Sequence, residues 1–423
     1  MRIALCLPES DWLGELSGDH LTEAAIIQQG YIADGLRARG HELTLLAPAN
    51  LSRIVRNSDG GNPQVVAQTW SARPAFTFAS KVTWRIQRHL RIPYLNVFSN
   101  YCRLDALLQC LPGHDLVYER NGLYNVAVAM ACRRLGLPYV MFFDADQLLE
   151  RDFIGTPITG LLRWRAVRLL RYNLATADRV ICVSDCARTR LVGTWNVPVA
   201  KTVVLANGVD TTRFQPDAAA RSEVRAASGM EIGTLIVFVG NFYPWHDVAT
   251  LLSAFALVLR THPDARLALV GEGPQWQAAQ RHAAELGVTH AVRFAGSVAH
   301  AGVPRLMAAA DIAVAPVPAM QRNLWLSPMK LFEYMASGTA IVGSNVGQIA
   351  EVLDHGRNGL MVPPGDAVAL AAALAGLIDD PAWRSTLGRQ AREDAVRKHS
   401  WGQRVADLEH LFNVVAAERS AGA

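Results

Sequence analysis

The length, composition and charge of the chain narrow its class before any motif is considered. Its 423 residues are enough for two domains with full hydrophobic cores, and 51% apolar with 18% charged residues is typical of a globular protein. The formal net charge of +4 is too small to indicate nucleic-acid binding. The sequence contains no run of 18 apolar residues, so no membrane-spanning helix is predicted.

The N-terminus and the cysteines indicate a cytoplasmic protein. Residues 1–8 have the pattern of a strand that enters a domain, and this apolar stretch is too short for a signal peptide. All six cysteines lie in the first half without a Cys-x-x-Cys pair, which favours reduced structural thiols. Residues 206–400 contain 16 basic and 17 acidic residues, so the basic excess lies elsewhere and could favour an anionic surface or acceptor.

Short apolar strands alternate with helices along the first half of the chain. The predicted strands cover residues 2–7, 41–47, 64–70, 115–120, 139–143 and 179–184. The predicted helices cover about 19–39 and centre near residues 104, 129, 167 and 189. Apolar strands joined by helices predict a parallel sheet covered on both faces.

The second half repeats this alternation. Its predicted strands cover residues 235–239, 267–270, 292–295, 312–315 and 340–343. Its helices are predicted to begin near Asp247, Pro274, Val303, Pro328 and Gly347, with two more at 380–398 and 402–418. A turn signal at 207–210 predicts domains at 1–206 and 207–400, with the helix at about 401–423 packing back on the first domain.

This α/β pattern of two doubly wound domains predicts where ligands bind. In open α/β sheets, ligands bind at the carboxyl ends of the strands. Two such sheets facing each other across a cleft would direct both sets of loops toward one site. The arrangement suits transfer between two substrates, because closure of the cleft expels water.

The stretch 323–347 carries the most specific chemical pattern. Ser327 as N-cap and Pro328 at the first helical position predict a helix start, and Gly338 predicts its end. Free N–H groups, the positive end of the helix dipole and Lys330 would form an anion site. Glu333, one turn later, could accept hydrogen bonds from a sugar diol, so the pattern fits a nucleotide-sugar. A capped surface helix with an ordinary Glu–Lys pair is the alternative interpretation.

Several motifs in order make the chain resemble a known family. They are Val239-Gly-Asn-Phe-Tyr-Pro-Trp-His246, Leu269-Val-Gly-Glu-Gly-Pro274, Val292-Arg-Phe-Ala-Gly-Ser-Val298, the helix at 327–338, Gly347-Gln-Ile-Ala-Glu351 and Asn358-Gly-Leu-Met-Val-Pro-Pro-Gly-Asp366. Together they resemble the retaining glycosyltransferases of family 4, which have the GT-B fold of two Rossmann-like domains facing across a cleft. Gly40-His-Glu42, Asp178-Arg-Val-Ile-Cys-Val-Ser184 and Asn207-Gly-Val-Asp210 extend the resemblance into the first half.

The resemblance implies a donor clamp on the helix at 327–338. Glu333 matches the second glutamate of the family's E-x7-E motif and would hold the ribose hydroxyls. Lys330 matches the basic residue that reaches the diphosphate. Backbone N–H groups of Met329, Lys330 and Leu331, following the Ser327 cap, would bind the phosphates.

Other matching positions are implied to line the rest of the donor pocket. Val298 falls where the family's backbone contacts the nucleobase, and Glu272 and Gly273 would line the same pocket. Asn241 and His246 stand where many members carry Arg and Lys against the diphosphate. For His246, a neutral core or cap histidine is the alternative.

One departure from the family pattern leaves the sugar undefined. The first glutamate of E-x7-E should stand at 325, where this chain has Trp325, a residue that could stack on a sugar face or fill core. A Trp-His pair after Pro244 together with Ser-Pro-x-Lys-x-x-Glu resembles a subgroup of the family with this variation. Gly14 and Gly18 lie in the loop after the first strand, where the family approaches the donor phosphate, although they could serve only the turn.

The acceptor side matches the family less closely. Many members place a histidine after the fourth or fifth strand, and here those strand ends carry none. Asp144, Glu119 and Arg120 are the polar groups left at cleft-facing positions, and Asp144 and Arg120 are the candidates for the chemistry. A structural Glu119–Arg120 ion pair and a helix cap at Asp144 are the alternatives.

The resemblance implies a retaining transfer of a hexose from a nucleotide-sugar, a UDP-sugar above all, to a hydroxyl acceptor such as a glycan, a lipid-linked molecule or a small natural product. In its front-face mechanism the acceptor hydroxyl passes its proton to the departing diphosphate. No Asp-x-Asp follows a strand in the donor domain, so neither a metal nor another cofactor is expected.

Three other functions stay open from the sequence. A GDP-mannose-using mannosyltransferase would have the same fold, and a homologue that only binds nucleotide-sugars or glycans could lack the histidine. A glucan phosphorylase would need a pyridoxal-phosphate lysine, for which this chain is short and poor in Lys.

Two basic, aromatic stretches, 81–91 and 162–171, could touch anionic lipid or hold a lipid-linked acceptor. They could equally be ordinary amphipathic helices with solvated Arg. On the first interpretation the protein would be peripheral at the inner face of the membrane.

Overall fold

The computed structural model of the protein contains two α/β units, each built on its own sheet. It describes residues 1–9, 12–15, 24–49, 52–58, 62–90, 97–228, 233–319 and 327–422. Within these ranges, no helix is both long and apolar enough to cross a membrane.

Strands and helices alternate in chain order over most of both units. The strands are β1 Arg2–Cys6, β2 Glu42–Pro48, β3 Ile54–Ser58, β4 Gln64–Val65, β5 Leu116–Arg120, β6 Tyr139–Phe143, β7 Arg179–Cys182, β8 Thr202–Val204, β9 Leu235–Val239, β10 Arg266–Val270, β11 Val292–Gly296, β12 Ile312–Ala315, β13 Ala340–Ser344 and β14 Leu360–Val362. The helices are α1 Trp12–Glu15, α2 Ala24–Ala38, α3 Pro74–His89, α4 Val97–Cys110, α5 Ala127–Leu135, α6 Gln147–Phe153, α7 Gly160–Thr176, α8 Asp185–Gly193, α9 Ala218–Ser228, α10 Val248–Leu259, α11 Trp276–Glu285, α12 Val303–Ala309, α13 Met329–Ala336, α14 Gly347–Val352, α15 Ala367–Asp379, α16 Pro381–Lys398 and α17 Trp401–Gly422.

The first sheet has the order β4-β3-β2-β1-β5-β6-β7-β8. The sequence predicted a fully parallel sheet, and this was wrong at one edge. β2 pairs antiparallel with β3, and β3 pairs antiparallel with β4. The strand predicted at 64–70 ends at Val65. Further along the chain, the N–H groups of Thr69 and Ser71 donate to the Asp105 carboxylate instead of to a neighbouring strand. The apolar pattern did not predict β3, whose side chains are mostly only half buried at this edge.

The second sheet has the order β11-β10-β9-β12-β13-β14, and all of its pairings are parallel. Its order turns back at β9 and β12, the kind of switch point at which open α/β sheets bind ligands. Apolar clusters cover both faces of each sheet, as parallel sheets require. β14 was not predicted, because three residues are too short for a periodic signal.

Helix α17 belongs to the core of the first unit although it follows the second in sequence. Val405, Leu408 and Phe412 are buried in one cluster with strands β1, β2 and β5. Glu409 accepts from Arg39 at 2.6 Å, which ties the helix to the end of α2. The chain therefore crosses between the two units twice, once before the strands of the second sheet and once after them.

Candidate functional site

A cavity of about 340 Å³ lies between the two units, at the carboxyl ends of their strands. Residues of the first unit that line it include Gln28, Asp144, Glu150 and Val183. Residues of the second unit that line it include Gly240, Asn241, Tyr243, Trp245, His246, Val298, His300, Ser327, Met329, Lys330 and Glu333. The cavity thus brings most of the predicted donor residues together with Asp144.

Helix α13 begins one residue later than predicted. Pro328, with extended backbone angles, is the N-cap, and Met329 is the first helical residue. Ser327 precedes the cap: its Oγ accepts from the Asn207 N–H at 3.2 Å and its carbonyl from the Asn207 side chain at 2.7 Å. The predicted capping role of Ser327 was therefore wrong, because its oxygens bond to the segment that joins the two units. Gly338 ends the helix in the left-handed region, as predicted.

Two of the three predicted backbone donors of this helix remain suited to an anion. The first N–H groups of a helix have no partner within it, and Met329 and Lys330 both line the cavity. Leu331 differs from them, because its N–H donates to the Pro328 carbonyl at 3.0 Å and its side chain is fully buried outside the cavity. The expectation that Leu331 binds phosphate is therefore not met.

Lys330 lines the cavity, and its ammonium group has no hydrogen-bond partner. Its Nζ atom has almost no solvent exposure and no hydrogen-bond partner, although part of its side chain is exposed. The Nζ atom lies 4.2 Å from the centre of the Phe238 ring, a cation–π contact. Loss of hydration lowers the pKa of Lys330 to about 7, and the Glu333 carboxylate opposes that shift. An anionic ligand would supply the missing counter-charge.

Gly240 makes room for this ammonium group. It follows β9 with a φ of +147°, and a Cβ at this position would collide with the Lys330 side chain, 2.9 Å from its Cε atom. The positive φ favours glycine at this position, and a side chain here would displace the flexible end of Lys330.

Glu333 is buried at the cavity wall, with 6% of its surface exposed. Its Oε1 atom lies 2.7 Å from the Nε2 atom of His300. His300 also lines the cavity, from the 3₁₀ turn His300–Gly302 after β11. Sequence reasoning missed His300, because the contact joins residues that are 33 positions apart. Its position two residues after Val298 was the available signal.

His246 and Asn241 contact each other at the cavity wall beside Lys330. The Nδ1 atom of His246 donates to the Asn241 carbonyl, which leaves its other ring nitrogen for a ligand. Burial, and then the nearby Lys330, lower the pKa of His246 well below its usual range, so the ring is neutral. Tyr243 stacks on Trp245 with ring centres 4.6 Å apart, and Trp245 reaches across the cleft to Phe153 at 6.0 Å.

The predicted base pocket is only partly assembled. Val298 lines the cavity. Glu272 is exposed and does not line it; its carboxylate lies beside Gly296 instead. Gly273 packs against the backbone of Phe242, where a Cβ would be 2.7 Å from the Phe242 nitrogen. Tight turns after β9 and β10 explain the difference for both residues.

Arg120 and Asp144, the residues predicted for the acceptor side, form an ion pair in the first unit. The guanidinium also stacks on Trp12, 4.7 Å from its ring centre. Both alternatives from the sequence were wrong. Glu119 does not pair with Arg120 but accepts from Tyr139 at 2.5 Å and from Asn125 at 2.7 Å. The cap of α6 is Asp146, not Asp144.

Glu150 on α6 lines the same side of the cavity and was not predicted. Burial raises the pKa of Glu150 to about 7, and the nearby Asp144 charge adds to that effect. Because the shift arises from packing in three dimensions, the local sequence around Glu150 carried no signal for it.

The remaining predicted residues lie at or beyond the edge of what the structure describes. Gly18 and Trp325 fall outside the described residues. Gly14 lies in the short helix α1, whose backbone alone is described at that position. Among the described residues, no group of three His, Cys, Asp or Glu side chains could hold a metal ion.

Comparisons with known proteins agree with this architecture. Residues 28–208 match the family model described as "Glycosyl transferase 4-like domain", and residues 233–380 match "Glycosyl transferases group 1". The GDP-mannose-dependent alpha-(1-6)-phosphatidylinositol monomannoside mannosyltransferase of Mycolicibacterium smegmatis is 30% identical over 239 residues, 56% of this chain and 62% of that protein. Its Mycobacterium tuberculosis counterpart is 29% identical over 350 residues, 81% of this chain and 87% of that protein.

A solved structure has the same fold over nearly the whole chain. HepE from Anabaena, in complex with UDP, superposes with a TM-score of 0.70 and 20% identity, covering 98% of this chain and 100% of that one. The predicted GT-B fold is confirmed. The chain is a GT-B glycosyltransferase that combines a glycosyl transferase 4-like domain with a group 1 glycosyl transferase domain.

Proposed function

We propose that the protein is a retaining family 4 hexosyltransferase that moves a sugar from a UDP-sugar to a hydroxyl acceptor. The buried Lys330 ammonium group without a partner, at the start of α13 and one turn from Glu333, carries the proposal. A nucleoside diphosphate supplies both the counter-charge for Lys330 and a ribose diol for Glu333.

The chemistry follows from where charge develops. The bond between the sugar's anomeric carbon and the diphosphate oxygen breaks while the acceptor oxygen bonds to the same face of that carbon. The acceptor proton passes to the departing diphosphate. Lys330 and the α13 N-terminus stabilise the negative charge that grows on the leaving group. The proposal assigns no step to a metal, and full activity in EDTA is expected.

The nucleotide has two candidates. HepE was solved with UDP and also with UDP-glucose, which favours a UDP-sugar. The mycobacterial relatives are named as GDP-mannose-dependent enzymes, which favours a GDP-mannose-using mannosyltransferase as the second candidate. Trp325 replaces the glutamate expected to contact the donor sugar, so the identity of the sugar has to be measured.

An anionic membrane is the proposed partner of helix α3. None of its residues is buried, and Phe78 is 70% exposed. Trp84 and Ile86 add exposed apolar surface, while Lys81 and Arg85 add exposed positive charge. A peripheral, cytoplasmic enzyme with a lipid-linked acceptor would use such a helix. Sedimentation with vesicles containing anionic lipid, compared with neutral vesicles, tests this contact.

A nucleotide-sugar screen tests the proposed function. Thermal unfolding should shift upward with UDP-sugars, or with GDP-mannose for the second candidate, because a ligand that binds the folded state stabilises it. Release of UDP or GDP should then require the acceptor or water, and the anomeric configuration of the product should equal that of the donor. Stabilisation without any release from a broad acceptor panel would favour a non-catalytic binding protein.

A further inference from the structure

The contact between His300 and Glu333 determines where the Glu333 carboxylate points. The His300 Nε2 atom lies 2.7 Å from Glu333 Oε1, with side chains 12% and 8% exposed. Both residues line the cavity, His300 from the turn after β11 and Glu333 from α13. A buried carboxylate held by one such bond cannot rotate freely.

Lys330 offers Glu333 a second partner that the structure leaves unused. The two residues are three apart on α13, a spacing at which opposite charges commonly pair. Nevertheless, the Lys330 Nζ atom has no hydrogen-bond partner. The carboxylate is engaged by His300 instead. His300 therefore competes with Lys330 for Glu333 and leaves the ammonium group available.

The His300 ring is itself fixed by packing. Its centre lies 5.6 Å from that of Phe214, which is almost fully buried. Phe214 is held in turn by its backbone, whose carbonyl accepts from Arg392 at 3.0 Å. The imidazole therefore packs against the core of the second unit.

We propose that His300 is a positioning residue that directs Glu333 toward the ribose diol of the donor and away from Lys330. A carboxylate has lone pairs for about four hydrogen bonds, so the bond to His300 leaves room for two hydroxyl donors. The inference rests on the proposed function, since it assigns the diol to a nucleoside diphosphate. It adds that discrimination between ribose and deoxyribose depends on a residue outside the α13 motif.

The test compares ribose with deoxyribose nucleotides. Calorimetric titration measures Kd for UDP and 2′-deoxy-UDP, or for GDP and 2′-deoxy-GDP if GDP binds the wild type. The wild type should prefer the ribonucleotide by roughly tenfold or more, the usual effect of a hydrogen bond to a charged group. His300→Phe keeps an aromatic ring against Phe214 but removes the donor, and should bring the ratio close to one.

Two further variants separate positioning from folding. His300→Gln restores an N–H donor at a similar reach and should recover most of the ratio. His300→Phe should add nothing to the ratio when introduced into Glu333→Gln, because the carboxylate to be positioned is gone. His290→Ala, at an exposed histidine of the same unit, serves as the surface control.

The Kd ratios of the variants can overturn the positioning role of His300 in two ways. A ribose preference in His300→Phe equal to that of the wild type overturns the positioning role. A ratio lost in His300→Phe but equally lost in His300→Gln also overturns it, since packing alone would then explain the effect. If the wild type binds neither UDP nor GDP, the proposed function fails first, and the inference falls with it.

Discussion

The two halves of the cleft treat their buried cations in opposite ways. On the donor side, Lys330 Nζ is screened from water and has no hydrogen-bond partner. On the acceptor side, Arg120 is ion-paired with Asp144 and stacked on Trp12. A buried charge without a partner destabilises a fold, whereas a paired one is largely compensated. The second unit therefore presents a cation without a counter-charge, whereas the cation of the first unit is already paired.

This difference bears on what each half can recognise. The first unit adds Glu150 to the Arg120–Asp144 pair, so the groups it presents to the cavity are carboxyl groups rather than cations. Hydroxyl groups are suitable donors to them, and a second phosphate is not. The proposed pairing of a diphosphate donor with a hydroxyl acceptor follows the same division.

Removal of the donor-side cation should have the largest effect. Lys330→Ala should lower kcat by roughly 10²–10³-fold, the usual effect of losing one group that stabilises developing negative charge. Arg120→Ala should mainly raise the KM for the acceptor and lower stability, because it leaves Asp144 unpaired. Steady-state kinetics with varied donor and acceptor separate the two. Lys398→Ala, at an exposed lysine, is the control. Equal losses from Lys330→Ala and Arg120→Ala would remove the distinction between the halves.

Substitution at Gly240 should displace the lysine side chain. Gly240→Ala adds a methyl group against the Lys330 side chain and strains a backbone with positive φ, a cost of about 1–3 kcal/mol. We expect a donor KM raised several-fold together with a lower Tm. Gly287→Ala is the matched control, because it also strains a backbone with positive φ but its Cβ meets open space. An unchanged donor KM in Gly240→Ala would show that the ammonium position is not critical.

Nucleotide binding should take up a proton near neutral pH. With a pKa of about 7, the Lys330 amine of the empty site is mostly neutral at pH 8. A bound diphosphate favours the charged form and raises that pKa, so a proton is taken up on binding and affinity falls as pH rises above 7. Calorimetry at pH 8 in buffers of different protonation enthalpy measures the uptake. Lys330→Met should abolish most of it, and an equal uptake in that variant would contradict the assignment.

The smallest expected effect concerns Glu150. Its pKa of about 7 in the folded protein lies above the value of 4.5 for a free glutamate, so the folded state binds the extra proton between these pH values. Stability should therefore fall as pH rises from about 4.5 to 7, and Glu150→Gln should remove that loss. We expect its Tm to exceed that of the wild type by a few °C at pH 8 and to equal it near pH 4.5. Glu285→Gln, at an exposed glutamate, should change neither value.

Much of the fold could be predicted because it depends on local patterns. Apolar strands between helices indicated both sheets, and Gly338 marked the end of α13. The edge strands β3 and β4 were missed or misplaced, since half-buried antiparallel edges lack a continuous apolar run. The one-residue error at the start of α13 has a different cause. Ser327 bonds to Asn207, which is 120 residues away in sequence, and no local pattern shows this.

The residues of the candidate site also fall into those that local sequence predicts and those that it does not. Lys330 and Glu333 were predictable because a helix start, a basic residue and an acidic residue one turn later form a local pattern. His300, the Arg120–Asp144 pair and the raised pKa of Glu150 arise from contacts between distant segments or from burial. No motif of one segment encodes such contacts, so only the folded arrangement reveals them.

Calorimetric titration of UDP and GDP into the wild type and Lys330→Met tests the central claim most directly. The methionine keeps an unbranched side chain but removes the ammonium group. One of the two nucleotides should bind the wild type saturably, and Lys330→Met should weaken it by roughly tenfold or more, the loss expected for a buried charge-assisted contact. Equal affinity in both proteins would contradict the assignment of Lys330 as the group that the donor diphosphate completes.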